Sequence, residues 1–158
     1  MITLVRCDER LIHGQTMQFV VNDFNIERIV VVDDMTASNP VLKSIFTNVA
    51  PKNLNVKVHT VKETLDLIEE VMNNNQKVLL LMKHPSTYLA LKEAMPELPN
   101  ELNIGAQMAR GGTTFAEYAT LSNDEIAACD KLTDMGVRVY FNAIGSSGQT
   151  VEYKASSK

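Results

Sequence analysis

The chain has 158 residues, 45% of them apolar and 22% charged, which is the composition of an ordinary globular protein. This length predicts one domain over residues 1–158. The formal net charge of -4 excludes the broad basic surface that nucleic-acid binding requires. The longest apolar runs are too short to cross a bilayer, no secretory signal is recognisable, and the two cysteines form neither a metal spacing nor a disulfide framework. These features predict a reduced cytoplasmic protein.

Short segments rich in Val, Ile and Leu are typical of strands that are buried on both faces. They cover residues 2–7, 28–33, 55–60, 77–82, 101–105 and 137–142. Segments with apolar residues at helical spacing lie between them and predict helices over residues 14–24, 40–50, 61–72, 86–94 and 123–135. Between Ala109 and Leu121 the pattern is ambiguous, and one short additional strand is an interpretation of it.

Capping residues mark the starts of several predicted helices. Asn39 has the side chain of an N-cap, and Pro40 is tolerated in a first turn. Residues 60–63 and 122–125 each have the spacing of a capping box, and Ser86 is expected to cap the helix that follows the fourth strand. The regular alternation of strands and helices predicts an α/β fold, with a mostly parallel sheet and helices on both of its faces.

Ligands of open parallel sheets bind in the loops that leave the carboxyl ends of the strands. This rule directs attention to the loops that follow Cys7, Val32, Val58, Met82 and Ile104. The loop after Cys7 holds the densest group of charged side chains, and it is therefore the first candidate for a functional site.

That loop reads Val-Arg-Cys-Asp-Glu-Arg-Leu-Ile-His-Gly-Gln over residues 5–15. Arg6 lies near the strand end, whereas Arg10 and His13 lie on the loop. His13 directly precedes a predicted helix, whose first backbone N–H groups and positive dipole end favour a bound anion. Gly14 removes a side chain where a phosphoryl group needs room. This combination is typical of a site that handles phosphate.

A neutral imidazole attacks phosphorus, and histidine is mostly neutral at cellular pH. Once His13 carries a phosphoryl group, Arg6 and Arg10 would hold the added dianion through charge-assisted hydrogen bonds, each worth roughly 1.5–3 kcal/mol. Asp8 either orients an arginine or fixes the imidazole tautomer, and the sequence does not separate these two roles. A histidine beside arginines is also common as a structural group, so these residues by themselves leave both interpretations open.

Residues 6–15, Arg-Cys-Asp-Glu-Arg-Leu-Ile-His-Gly-Gln, resemble a known signature. It is Arg-x-Asp-x-Arg-Leu-Ile-His-Gly-Gln, the signature of the mannose/fructose/sorbose-type IIB components of the bacterial sugar phosphotransferase system. The match is ordered and nearly gapless. The resemblance continues over residues 30–34, 78–83 and 103–105, which are similar to the second, fourth and fifth strands of the family.

The resemblance implies a phosphotransferase with a three-layer α/β/α architecture, a mostly parallel central sheet, and neither a metal nor an organic cofactor. It implies that a IIA protein passes a phosphoryl group from its own histidine to His13. His13 then gives the group to a sugar bound by the membrane subunits IIC and IID, which couples uptake to phosphorylation. Arg6, Asp8 and Arg10 match the motif positions around the phosphohistidine, and Gly14 and Gln15 complete the expected phosphate-binding residues.

The fifth loop departs from the family pattern, in which Asn-Val-Gly-Gly-Met is followed by Gly-Lys. Here Asn-Ile-Gly at residues 103–105 is followed by Ala-Gln-Met, and residues 112–113 are Gly-Thr, without the usual lysine. Arg110 lies nearby and is a candidate substitute. These departures keep open a second hypothesis, a degenerate IIB-like regulatory or interaction module that binds IIA without passing phosphate on.

Other polar residues at strand ends have simpler interpretations. His59 and His84 are expected to be partly exposed loop-entry residues, and Lys83 is a rim lysine that either meets phosphate or is solvated. Residues 33–34, Asp-Asp, are expected to cap the next helix and close a turn rather than to bind metal. The glycine-rich residues 111–113 lack the glycine–lysine pattern of a phosphate-binding loop.

A third hypothesis is a hydrolase that uses His13 as a base, and the absence of a Gly-x-Ser-x-Gly motif weakens it. The transported sugar stays open, because in the resembled family the membrane subunits are expected to select it. The sequence does not determine the oligomeric state either, and a homo-oligomer stays open.

Overall fold

A computed structural model describes residues 1–14, 16–144 and 149–155 of the chain. All six predicted strands are present, and four further short ones are found. The strands are β1 (Ile2–Cys7), β2 (Arg28–Val32), β3 (Asn55–His59), β4 (Val78–Met82), β5 (Glu101–Ile104), β6 (Gln107–Met108), β7 (Thr113–Ala116), β8 (Ala119–Leu121), β9 (Arg138–Phe141) and β10 (Val151–Glu152).

The helices of the described residues are α1 (Val21–Asp23), α2 (Asp34–Ala37), α3 (Pro40–Asn48), α4 (Val61–Asn73), α5 (Pro85–Ala94) and α6 (Asn123–Asp134). A π-helical turn over Thr16–Val20 runs directly into α1. Throughout the described ranges, every helix is too short or too polar to span a membrane.

The main sheet has seven strands in the order β10-β9-β5-β1-β4-β2-β3. Neighbouring strands are parallel, except that β10 runs antiparallel to β9. β1 lies between β5 and β4, and its last residue, Cys7, pairs with both Ile104 and Met82. All residues of β4 are buried, because helices cover both faces of the sheet. The carboxyl end of β1 is therefore surrounded by the ends of two other strands.

Two hydrophobic clusters hold the helices on the sheet. One contains Ile68 of α4, Tyr88 of α5 and Leu132 of α6 on the first face. The other contains Val20 from the π-helical turn, with Phe46 of α3 packed against it, on the second face. The mostly parallel sheet between two helical layers confirms the predicted three-layer α/β/α architecture.

A second, smaller sheet is formed by β6, β8 and β7, in that order. β8 pairs parallel with β6 and antiparallel with β7. The segment from Ala109 to Leu121 thus contains two strands, β7 and β8, where the sequence indicated one. This difference arises because each strand is short and half-exposed, so that neither shows a clear apolar pattern.

Two of the predicted caps are confirmed. The Oδ1 atom of Asn39 accepts hydrogen bonds from the backbone N–H groups of Val41 and Leu42. Thr60 and Glu63 form a reciprocal capping box at the start of α4. The short apolar segments and these caps together position the strand ends from which the site is built.

Three local predictions differ from the structure. The helix predicted from residue 14 begins as a π-helical turn. α5 begins at Pro85, with His84 rather than Ser86 at the cap position. Ser122 caps α6 as predicted, but the carboxylate of Glu125 accepts hydrogen bonds from the N–H and hydroxyl of Ser86, at 2.8 and 2.9 Å, instead of closing a capping box.

Candidate functional site

The carboxyl ends of β1, β4 and β5 meet at the middle of one edge of the sheet. The N–H of Asp8 donates to the carbonyl of Met82 at 2.9 Å, and the N–H of Gly105 donates to the carbonyl of Cys7 at 2.7 Å. These hydrogen bonds fix the loop after β1 against both neighbouring strands. The general rule for ligand sites of parallel sheets therefore points to this edge, where Asp8, Arg10 and His13 lie together.

Leu11 shapes the loop between β1 and the π-helical turn. Its backbone has a left-handed φ of 54°, while its side chain is completely buried in the second hydrophobic cluster. A left-handed conformation costs a leucine on the order of 1 kcal/mol, and burial of its side chain offsets that cost. With Leu11 anchored in this way, Arg10 extends toward solvent, and the chain turns back so that His13 contacts Asp8.

Asp8 is the centre of the site, and its side chain is completely buried. His13 Nε2 lies 2.9 Å from Oδ2 of Asp8. Arg10 donates to Oδ1 from its backbone N–H at 3.0 Å and from Nε at 3.3 Å, and to Oδ2 from Nη2 at 3.4 Å. Arg6 Nη2 lies 3.5 Å from Oδ2. Asp8 thus holds both arginines and the imidazole, so both roles that the sequence left open are present.

These contacts keep Asp8 ionised. Burial acts to raise the pKa of Asp8, but the hydrogen bonds from His13 and Arg10 and the positive charge of Arg6 outweigh burial and lower the pKa below its usual value. An ionised carboxylate only accepts hydrogen bonds, so the proton of a neutral His13 is assigned to Nε2. The second ring nitrogen, Nδ1, then carries the lone pair.

Arg6 lies on the buried side of Asp8 and is completely inaccessible to solvent. Its Nη1 atom donates to Oδ1 of Asn103 at 2.5 Å and to the carbonyl of Asn142 at 2.9 Å, and Nη2 donates to the carbonyl of Ala143 at 2.7 Å. Burial lowers the pKa of Arg6, and the charge of Asp8 opposes that shift. Both terminal nitrogens are engaged with protein oxygens, whereas the sequence indicated a guanidinium that meets phosphate.

Gly105 provides the space for this arrangement. A Cβ atom at Gly105 would overlap Nη2 of Arg6, would lie 2.8 Å from its Cζ, and would lie 3.2 Å from Oδ2 of Asp8. Real Cβ atoms do not approach other heavy atoms so closely, so the Arg6–Asp8 pair requires glycine at this position. The family-like Asn-Ile-Gly segment is thus part of the wall behind the catalytic candidates.

Arg10 and His13 lie on the open side of Asp8, with 49% and 17% of their side chains exposed. The Oγ1 atom of Thr16 lies 3.0 Å from Nε2 of His13 and donates to the carbonyl of Leu11 at 3.3 Å. Two oxygen atoms therefore hold Nε2. In the part of the chain that the structure describes, Nδ1 of His13 has no hydrogen-bond partner, and this nitrogen is the one left for chemistry.

Two pockets adjoin the open side. One has a volume of about 420 Å³ and is lined by Ile12, His13, Gly14, Val49 and Pro51. The other has a volume of about 350 Å³ and is lined by Arg10, Ala106, Met108, Tyr118 and Ala143. The imidazole of His13 and the guanidinium of Arg10 thus each border a cleft. A group bound to either side chain is accessible from outside.

Gly14 is exposed, and a Cβ atom there would meet no protein atom within 4 Å. Packing of the described protein therefore does not require glycine at residue 14. Gln15, the other expected phosphate-binding residue besides the arginines, lies outside the described residues.

Asp33 serves as a cap, as predicted. Its Oδ2 atom accepts hydrogen bonds from the N–H of Thr36 at 3.1 Å and from its hydroxyl at 2.6 Å. Lys83 Nζ lies 3.4 Å from the same Oδ2. Asp34 accepts a hydrogen bond from the N–H of Val61 at 2.8 Å. These residues connect the ends of β2 and β4 to their helices, which is a structural role.

Neither of the two remaining histidines is brought to Asp8. His84 Nδ1 lies 3.1 Å from Oε1 of Gln107. His59 ends β3 at the edge of the sheet, three strands away from β1. Burial is the main factor that lowers the pKa of His59. Nowhere in the described chain do three or more His, Cys, Asp or Glu side chains form a group that could hold a metal ion.

The altered fifth loop is ordered by its own contacts. Gln107 is buried and donates from Nε2 to the carbonyl of Lys83 at 2.6 Å, which joins the loop to the end of β4. Ala106 borders the pocket beside Arg10. Arg110 and Thr113 are both exposed, and Thr113 begins β7. The glutamine at residue 107 therefore adds a hydrogen bond between the fifth loop and the end of β4. The cluster of side chains around Asp8 is unaffected by it.

Sequence reasoning missed the roles of Thr16, Asn103 and Asn142. Asn103 lies between apolar residues of β5 and Asn142 directly follows β9, and a polar side chain in such a place needs a partner. That signal marks them as candidates, but only the fold shows that Arg6 donates to the side chain of Asn103 and to the backbone carbonyl of Asn142. Thr16 had no comparable signal, because its contact depends on the winding of the turn.

The known proteins that are similar to this chain in sequence and structure belong to one class. The family model described as "PTS system sorbose subfamily IIB component" matches residues 2–153. The sorbose-specific EIIB component of Lacticaseibacillus casei is 30% identical over 139 residues, which cover 87% of this chain and 84% of that protein. The mannose-specific EIIAB component of Escherichia coli (strain K12) is also 30% identical over 139 residues, and these cover 87% of this chain and 43% of that protein.

Two solved structures agree with the sequence matches. The IIBSor domain of the sorbose permease from Klebsiella pneumoniae superposes with a TM-score of 0.86 at 25% identity, covering 96% of this chain and 92% of that one. The manxB structure from Thermoanaerobacter tengcongensis superposes with a TM-score of 0.83 at 32% identity, with the same coverage of 96% and 92%. The chain belongs to the sorbose subfamily of the IIB components of the sugar phosphotransferase system.

Proposed function

We propose that His13 is a transient phosphoryl carrier. It accepts the group from a phosphorylated histidine of a IIA protein and passes it to a sugar bound by the membrane subunits IIC and IID. The observation that supports this proposal most directly is the imidazole held through Nε2 by a buried carboxylate, with Nδ1 unengaged beside a pocket. Such a histidine is oriented as a nucleophile and needs neither a metal nor an organic cofactor.

The transfer of the phosphoryl group onto His13 needs no separate base. The lone pair of Nδ1 attacks phosphorus while the P–N bond in the protonated phosphoimidazole of the donor breaks. The donor leaves as neutral imidazole, and His13 becomes a phosphoimidazolium whose Nε2–H stays on the ring and faces Asp8. The ionised Asp8 stabilises the new positive charge of the ring, which is the same role that a carboxylate has beside other catalytic histidines.

In the second step the oxygen of a sugar hydroxyl attacks the phosphorus. A P–O bond forms, the P–N bond to His13 breaks, the hydroxyl proton passes to solvent water, and the imidazole returns to its neutral form. The chain therefore ends each cycle in the state in which it began, as a carrier must.

Arg10 is the proposed phosphate-binding arginine. It is half-exposed, borders the open side and lies beside the same carboxylate as the imidazole. With a neutral His13, the two arginines and Asp8 sum to one positive charge, which favours an incoming dianion. Gly14 and Gln15 complete the proposed phosphate site, Gly14 by leaving the mouth of the pocket unobstructed.

Arg6 is proposed as a positioning residue, which is a change from the role that the sequence indicated. Its guanidinium acts on His13 through Asp8, because it ties Asp8 to Asn103 and to the carbonyls of Asn142 and Ala143. A carboxylate held from both sides keeps the imidazole in one orientation and one tautomer. The contribution of Arg6 is therefore preorganisation rather than contact with phosphate.

The proposed partners follow from the family. The mannose-specific relative is named as an EIIAB component, in which an A and a B unit belong to one protein. A IIA protein is accordingly the proposed phosphoryl donor of this chain, and IIC/IID subunits are the proposed acceptors that hold the sugar. The proposed location is the cytoplasm, where these partners would be met.

The test is a reconstituted transfer chain supplied with labelled phosphoenolpyruvate. The label is expected to enter this protein as an acid-labile, base-stable adduct and to leave when sugar and vesicles containing IIC and IID are added. His13→Ala should carry no label, whereas His84→Ala, at the end of the neighbouring strand, should carry a normal amount. Label that persists in His13→Ala would contradict the assignment.

The same assay distinguishes the degenerate module. A module that binds IIA without passing phosphate on would either remain unlabelled or keep its label after the vesicles are added. The complete hydrogen-bond set around Asp8 and the ordered contacts of Gln107 support the active carrier instead.

A further inference from the structure

The outer faces of α3 and α4 differ in chemistry. The exposed residues of α3 are uncharged, namely Pro40, Val41, Ser44, Ile45 and Asn48. The exposed residues of α4 are Lys62, Glu63, Asp66, Glu69, Glu70 and Asn73, most of them charged. A charged outer face is the ordinary state of a surface helix, so α3 is the exception.

Exposed apolar residues of α3 and of its C-cap form a stripe. Val41, Ile45 and Val49 lie four residues apart, so they stand above one another on one face, and they are 68%, 49% and 51% exposed. We call these three residues the α3 stripe. Isolated exposed apolar residues are common on proteins, but three in a row on one helix face mark a contact surface.

The α3 stripe leads to the transfer site. Val49 lines the same 420 Å³ pocket as His13, and Pro51 lines it as well. Ile45 and Val41 follow at about 6 and 12 Å along the helix, since four residues advance an α-helix by about 6 Å. A partner that fills this pocket therefore contacts Val49, and the rest of the stripe lies beside that contact.

The size of a protein interface supports this geometry. A standard interface covers about 800 Å² on each partner, which corresponds to a patch with a radius of roughly 16 Å. Val41 lies about 12 Å from Val49 along the helix, so a patch of that radius around Val49 includes the whole α3 stripe. We propose that the α3 stripe is the surface on which the phosphoryl-donor protein, the IIA component, docks. This inference rests on the proposed function of His13 and adds the surface that the donor uses.

The chemistry of the stripe favours this occupant over two others. A membrane surface or a lipid-proximal subunit selects clusters of Lys and Arg, whereas the exposed residues of α3 include neither and its one lysine, Lys43, is half-buried. A second copy of the chain seated on the stripe would cover the pocket at His13 and block transfer. A soluble donor, in contrast, must cover this pocket in order to bring its own histidine to Nδ1.

The experiment uses the full chain carrying Val41→Ser and Ile45→Ser. The matched control carries Lys62→Ser and Asp66→Ser, at the same spacing on α4. Docking is measured by titration calorimetry with unphosphorylated IIA protein, and transfer is measured with phosphorylated IIA. We expect the Kd and the KM for IIA to rise by about 10-fold or more in the α3 variant with kcat retained, and to stay unchanged in the α4 variant.

Phosphorylation of His13 by the small donor phosphoramidate, which needs no docking, should be equal in all three proteins. That measurement also separates the two proposals, because a wild-type chain that binds IIA but takes no phosphoryl group from either donor would contradict the function and not the docking. An unchanged Kd in the α3 variant would overturn the docking surface. A defect of the α3 variant that is confined to sugar phosphorylation by IIC/IID vesicles would also overturn it. The same holds if the α3 variant changes its oligomeric state but binds IIA as the wild type does.

Discussion

The two sides of Asp8 are built from similar groups and differ in burial. On one side Arg6 is completely inaccessible and donates to an asparagine side chain and two carbonyls that belong to β5 and to the residues after β9. On the other side Arg10 is half-exposed and comes from the loop itself, together with His13. The same residue type is therefore a buried anchor on one side and, on the other, a half-exposed charge that we propose binds phosphate.

This division of burial suits the proposed role of His13 as a phosphoryl carrier. A site that must accept a dianion and then release it cannot rely on a rigid open face, since partners have to approach it. The rigid part lies behind the carboxylate, where water does not compete for the hydrogen bonds of Arg6. We expect changes on the buried side to lower the free energy of unfolding, and changes on the open side to lower transfer rates alone.

The largest effect is expected for Arg6→Met. This change removes a buried charge partner of Asp8 and leaves the acceptors of Asn103, Asn142 and Ala143 without their donor. We expect a loss of about 3–5 kcal/mol in the free energy of unfolding, measured by denaturant titration. The control is Arg138→Met, since Arg138 is half-exposed in its ion pairs with Glu101 and Glu152 and should cost less than about 1 kcal/mol. Equal losses in both variants would contradict the comparison.

Next in size is Arg10→Lys on the open side. A lysine keeps the positive charge but cannot present two N–H groups to two phosphate oxygens. We expect transfer onto and off the protein to slow about 10- to 100-fold, measured by rapid-quench labelling. The free energy of unfolding should change by less than about 0.5 kcal/mol. Unchanged rates in both directions would remove Arg10 from the phosphate site.

A smaller effect is expected for Gly105→Ala. The added methyl group meets the guanidinium of Arg6 and the carboxylate of Asp8 and should cost about 1–3 kcal/mol in stability. The informative measurement is a double-mutant cycle with Arg6→Met, because a flexible methionine can move aside. If Gly105 acts by making room for Arg6, the second substitution should cost little in that background. A full additive cost would show that Gly105 matters for another reason.

The smallest effect is expected in the pH dependence of the free energy of unfolding. The pKa of Asp8 is lower in the folded than in the unfolded chain, so ionised Asp8 contributes stability above about pH 4, and that contribution is lost as the pH falls through the lowered pKa. Asp8→Asn should therefore show a weaker decline in the free energy of unfolding between pH 5 and pH 3 than the wild type. Asp66→Asn, at an exposed position of α4, should decline like the wild type. A parallel decline in all three proteins would contradict the shift.

Much of this site could be predicted from the sequence because its open side is local. Asp8, Arg10 and His13 come from one short loop, and the resemblance and the strand-end rule both point to that loop. The helix caps at Asn39 and Thr60 were likewise predictable, since a cap depends on residues within one turn.

The buried side could not be predicted in the same way. Arg6 contacts residues 97 and 136 positions further along the chain, so its partners depend on which strands become neighbours. The sequence shows an arginine near a phosphate motif, and the natural hypothesis is contact with phosphate. Only the order of β9, β5 and β1 in the sheet shows that the donors on its two terminal nitrogens have protein acceptors.

The π-helical turn over Thr16–Val20 contains one residue more than an α-helical turn of the same span. Loss of a single residue from it would let the segment rewind as a regular α-helix without disturbing α1 or β2. Everything before the deletion would rotate by about 100° relative to the helix, and Thr16 would no longer face the imidazole. We therefore expect the length of this short segment to matter more for the position of the His13 side chain than for the fold.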